Sequence, residues 1–119
     1  SYEATAIMAS AELRWNVEGT SDAPQASGIL AYSTKRDASS MVLWGLPTDV
    51  NRNYTAWSVK NGEPIKIGNM WPEGKGLWIL IPGDATKMDG IGVTMRMVGA
   101  PKESAGSWRG ACRGGQGRT

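Results

Sequence analysis

Any chemistry this chain performs must be done without histidine: its 119 residues contain none, and the only cysteine is Cys112. A serine or threonine nucleophile needs a base beside it, so a lysine or carboxylate would have to serve, and no Ser-x-x-Lys spacing occurs. The carboxylates that could pair for glycoside hydrolysis are Glu12, Glu18, Asp22, Glu63 and Glu73. They fall in turns or on the polar phase of extended runs, where such groups are ordinarily solvated charges. With no histidine, the usual zinc and facial-triad ligand sets cannot be assembled, and a metal would have to be held by carboxylates alone. A single cysteine excludes an intramolecular disulfide; positive neighbours of the kind found near Cys112 can make a thiol reactive, yet an incidental thiol is the plainer reading. Gly74-Lys75-Gly76 and the glycines of 110–117 lack the Walker spacing, so no phosphate cradle is expected. These residues predict no catalytic, cofactor-binding or metal-ligating set, and a protein that is not an enzyme.

The residues that invite a binding role are the tryptophans, six of them against no phenylalanine. An exposed indole on a β-protein can stack on a sugar or anchor a protein partner. Trp15, Trp44 and Trp57 lie on the apolar phases of extended runs and are expected in the core. Trp71, beside a Pro-Glu-Gly turn, and Trp108, near the C-terminal end, are the candidate surface-binding aromatics; their structural alternative is to cover one end of the fold.

Charge argues against nucleic acid as a partner. Lys102, Arg109, Arg113 and Arg118 stand against Glu103 after residue 101, while the first 101 residues carry nine basic and ten acidic side chains. A body so close to neutral lacks the field, and the basic stripe interleaved with aromatics, that nucleic-acid binding requires.

The elements that must position these residues read as strands. Glu12 to Glu18 alternates strictly, with Leu13, Trp15 and Val17 on one face. Further extended runs are 27–34, 41–46 closed by Pro47, 54–59, 63–67, 77–81 closed by Pro82-Gly83-Asp84, and 91–97. Asn61-Gly62 between two β-prone runs predicts a type I′ hairpin turn. The one helix candidate is Ala4 to Leu13, where alanine-rich composition competes with the strand reading. About seven strands with turn chemistry between them predict an all-β protein, an antiparallel sandwich or barrel. The expected domain is 1–106, with 107–119 a Gly/Arg-rich tail. No apolar run reaches the roughly 18 residues a membrane span requires.

Val42-Leu43-Trp44-Gly45-Leu46-Pro47, then Tyr54-Thr55-Ala56-Trp57-Ser58-Val59 and Asn61-Gly62-Glu63-Pro64 followed by Ile67-Gly68, form an ordered set of motifs. It resembles the C-terminal domain of the anti-sigma-K factor family, in which a Gly-Leu-Pro strand end precedes a Tyr-x-x-Trp strand, a glycine turn and a return strand. Ile91 to Pro101 is similar to the family's closing strand and turn, departing from it at Arg96, where glutamate is common, and at Gly99-Ala100, where a glycine pair is. The similarity spans roughly residues 12–106.

The resemblance implies an immunoglobulin-like β-sandwich of seven or eight strands on the extracytoplasmic side of a bacterial membrane. It implies a single transmembrane helix and a cytoplasmic domain that sequesters a sigma factor, neither of which lies within these 119 residues. Proteolysis then controls transcription, so a protease or another extracytoplasmic protein would be the partner of this part. Leu46, Pro47, Tyr54, Trp57, Gly62, Val93 and Thr94 match the family motif and are expected as scaffold. The competing expectation is a secreted or surface module that binds carbohydrate or protein through Trp71, Trp108 or Tyr32 on one exposed face. A third, an enzyme with an unrecognised carboxylate or lysine site, would need a deep pocket holding two titratable groups.

Overall fold

The computed structural model of the protein describes residues 2–99 and the backbone of 108–112. Alternation of apolar and polar residues becomes strand almost wherever it occurs: β1 (Leu13–Gly19), β2 (Ser27–Ser33), β3 (Ala38–Trp44), β4 (Arg52–Lys60), β5 (Glu63–Asn69), β6 (Trp71–Glu73), β7 (Gly76–Pro82), β8 (Gly90–Met97) and β9 (Trp108–Cys112). Every pairing is antiparallel, and the strand order is β5-β4-β8-β9-β1-β2-β3-β7-β6. The protein is an all-β sandwich with one short helix, α1 (Tyr2–Ser10).

The two layers are β1-β2-β3-β7-β6 and β5-β4-β8. Inward side chains from the first, Val17, Leu30, Met41, Leu43, Leu77, Ile79 and Ile81, pack in one core with Tyr54, Ala56, Ile91 and Val93 from the second. Trp15 packs against that core as its alternation requires. The segment 63–73 passes between layers. It pairs with β4 as far as Asn69 opposite Thr55, the Met70 N–H then donates to the Tyr54 carbonyl at 2.9 Å, and from Trp71 onward the chain pairs with β7.

Two expectations about elements change. The helix ends at Ser10 instead of running to Leu13, because Leu13 takes up the β1 ladder opposite Tyr32. It lies on the outer face of the first layer with Ala4 and Ile7 fully buried, and the Ser40 hydroxyl donates to the Ala4 carbonyl at 3.1 Å. That cover explains why β3 is buried on both faces. Secondly, β9 falls inside the segment set apart as a tail, and its backbone pairs with β1 on one side and β8 on the other. Residues 113–119, the rest of that segment, lie outside the described residues.

The Asn61-Gly62 turn forms as expected, with φ of 52° and 79°, both in the left-handed region a type I′ turn demands. Asp89 accepts from the Asn61 N–H at 2.8 Å and ties the turn to the start of β8.

Candidate functional site

The strand β4 sequence Tyr54-Thr55-Ala56-Trp57 carries an aromatic on each phase, so alternation alone does not say which side is inward. The structure puts Tyr54 and Ala56 in the core and turns Thr55 and Trp57 outward. Trp57, expected in the core, is therefore half-buried on the outer face of the second layer. Ala56, fully buried, takes the inward place beside Tyr54.

Trp57 lies across its neighbour β8, its Nε1–H donating to Thr94 Oγ1 at 2.9 Å. Thr94 sits one register step away, opposite Thr55, and the Thr55 hydroxyl donates to Asn69 Oδ1 at 3.0 Å. That bond leaves the Asn69 amide NH2 as a donor. Asn53 and Arg96 face each other in the next row, and Lys66 lies opposite Trp57 on β5. The β4–β5 ladder shifts register between Ala56 and Trp57, and such a bulge re-aims the side chains beside it. Together these residues line a groove of about 350 Å³. That volume falls within the roughly 300–1,000 Å³ typical of small-molecule sites. One aromatic surface is surrounded by two amides, two hydroxyls and two cations, a lining suited to a polar ligand with at least one apolar face.

The other aromatic group is on the opposite side of the sandwich. Trp78 pairs with Val42 on one side and Trp71 on the other, on the outer phase of β7. Trp44, also expected in the core, is 40% exposed here because Met41 and Leu43 occupy the inward phase of β3. Gly76 makes room for this cluster: a Cβ there would meet Trp78 Nε1 and Val42 Cγ2 at 3.0 Å and Trp44 Nε1 at 3.3 Å. Trp71 is thus half-buried against another indole, on the face away from Trp57. Trp108 is placed by backbone register opposite Thr94 in β9, and its side chain lies outside the described residues. Tyr32 is occupied at one end of the fold, donating to Asp37 Oδ1 at 2.8 Å. Trp71 and Tyr32, anticipated on one binding face, are not brought together.

The ordered motif residues from Leu46 onward make local structural contacts. Tyr54 is 3% exposed, and its hydroxyl donates to the Pro47 carbonyl at 2.6 Å, a tie from a core tyrosine to upstream backbone like those at the corners of β-sandwiches. Leu46 packs on the core and Val93 is within it. Leu46, Pro47, Tyr54 and Met95 also border a smaller hollow of about 150 Å³ whose rim carries Asp22 and the Asp49-paired Arg52. Among the described residues, no three of His, Cys, Asp or Glu converge as a metal site would require, and no helix is long and apolar enough to cross a membrane.

The fold and the groove define a class: an antiparallel β-sandwich domain that displays a tryptophan, amides, hydroxyls and cations on one outer sheet face. No family model, curated protein or solved structure matches the chain.

Proposed function

We propose that the protein is a non-catalytic binding domain for saccharides, with the β4-β5-β8 groove as its site. The observation that carries this reading is the Trp57 indole, held across β8 by Thr94 in a groove of polar side chains. A pyranose presents C–H bonds on one face and hydroxyls around its rim; the indole suits the first and the Asn53, Thr55 and Asn69 groups the second. The test is titration of the 119-residue chain with a panel of oligosaccharides, reading tryptophan fluorescence. Trp57→Ala is expected to reduce affinity at least tenfold, since an aromatic anchor at the centre of a site commonly contributes 2 kcal/mol or more, of order. Thermal stability should change little, because the ring is outside the core. Unchanged affinity in Trp57→Ala would overturn the assignment of the groove.

A second reading follows from the ordered motifs Leu46-Pro47, Tyr54-x-x-Trp57 and Asn61-Gly62. It is that this domain is the extracytoplasmic, immunoglobulin-like regulatory part of a membrane-anchored anti-sigma factor. The Tyr54 to Pro47 bond supports it, since it gives the first two motifs a shared structural reason. A transmembrane span and a sigma-factor-binding domain encoded upstream would be its test, and the two readings are compatible if the groove receives the signal.

A further inference from the structure

The groove on β4, β5 and β8 carries two cationic side chains, Lys66 and Arg96, and among the described residues no carboxylate lines it. We infer that its ligand is an acidic oligosaccharide, bearing carboxylate or sulfate groups, whose negative charges meet Lys66 and Arg96 while one sugar ring packs on Trp57. The inference rests on the saccharide reading above and deepens it.

The register sets the spacing of the charges. Lys66 is opposite Trp57 on one side of β4, and Arg96 is opposite Asn53 on the other side, four residues along the strand. Two strand spacings across and four residues along separate their Cα atoms by ~16 Å. The cations therefore stand at diagonal corners, with Trp57, Thr55 and Thr94 between them. A linear chain of several sugars with repeated acidic groups runs along that diagonal and meets each cation separately while one of its rings covers Trp57. Arg96 is half-buried on its strand, and its planar fork matches a carboxylate or sulfate in a bidentate way that an ammonium does not. The rest of the described molecule does not favour this sign of ligand: its first 101 residues have one more acidic than basic side chain. The attraction is local to the groove.

Single-stranded nucleic acid also combines charge with a stacking face, but its backbone needs a continuous basic track and more than one stacking ring. Among the described residues the groove offers two separated cations and one ring, which favours the sugar.

The experiment measures affinity of the 119-residue protein for matched pairs: oligogalacturonate and oligomannuronate hexamers against their methyl esters, and a heparin-derived hexasaccharide against its desulfated form. A single-stranded oligonucleotide of similar length is included as a competitor. The acidic member of at least one pair is expected to bind about tenfold or more tightly than its neutral counterpart at low salt, converging as salt is raised. Lys66→Gln with Arg96→Gln should abolish that difference, the acidic member falling to the affinity of its neutral counterpart; Lys66→Arg with Arg96→Lys should keep most of it and control for folding. Equal affinity within every pair would overturn the acidic ligand and leave the saccharide reading standing. Absence of binding to any member, acidic or neutral, would overturn both. An oligonucleotide that competes as strongly as the best sugar would overturn the inference in favour of nucleic acid.

Discussion

Tyr32 illustrates how a single contact near a turn carries a measurable consequence. Its hydroxyl donates to Asp37, and that bond, followed by partial burial and the nearby charges of Asp37, Asp84 and Glu12, pushes its pKa up to about 12. The neutral phenol is the form the folded state favours. Its stabilisation is therefore complete below the ordinary tyrosine pKa of about 10 and is lost as pH rises through about 12. Residue-resolved NMR titration should find Tyr32 ionising well above the ordinary value, and Asp37→Asn should bring the midpoint back toward it. Asparagine tolerates the positive φ of 46° at that position, so the turn should survive the substitution. A Tyr32 midpoint unchanged by Asp37→Asn would show that burial, not the bond, sets the shift. At the same scale, Glu12 is held below the ordinary carboxylate range by the Thr34 hydroxyl first and the Thr34 N–H second, joining the beginning of β1 to the end of β2.

Among the elements, β9 has the clearest energetic role. It pairs with β1 at Glu18 and Gly19 and with β8 from Ile91 to Thr94, and so occupies the position where two strand edges would otherwise meet solvent. Unpaired edges are templates for aggregation as well as a loss of ladder bonds. Ending the chain at residue 106 should lower stability on the order of 2 kcal/mol, or about 10 °C in Tm, and promote self-association. Calorimetry and sedimentation of the shortened chain check both; an unchanged Tm would show that β9 adds nothing to the sheet. Helix α1 plays the corresponding part on a face instead of an edge, covering the outer phase of β3 with Ala4 and Ile7.

For the molecule as a whole, one core joins the two layers. Tyr54, Ala56 and Val93 from one layer lie in the same cluster as Leu30, Met41 and Ile79 from the other, and residues 63–73 run through both. A chain of this size with a single core is expected to unfold in one cooperative step. Fluorescence, far-UV circular dichroism and hydrogen exchange should report the same denaturant midpoint, and Ile79→Ala should shift all three together by 2–5 kcal/mol, of order. Separate midpoints would show that the layers are independent units.

Much of this architecture could be read from the amino-acid order alone. Strict alternation in β1, Pro82 at the end of β7, and Asn61-Gly62 between two β-prone runs determine local backbone geometry, because pleat, missing N–H groups and positive φ act within a few residues; β3, expected to run to Pro47, ends instead at Trp44, where Gly45 takes a φ of 89°. The same locality made the absence of a histidine-based site evident. The face on which an indole lies was a tertiary matter. In Val42-Leu43-Trp44 and Tyr54-Thr55-Ala56-Trp57 both phases are apolar or aromatic, so alternation is silent, and the choice follows from which set of side chains fills the space between the layers. Met41, Leu43, Tyr54 and Ala56 fill it, which leaves Trp44 and Trp57 outside. Lys66, Asn69, Thr94 and Arg96 could not be joined to Trp57 from sequence for the same reason: they come from strands as far apart as residues 63 and 97, and only the pairing of β4 with both β5 and β8 makes them one groove.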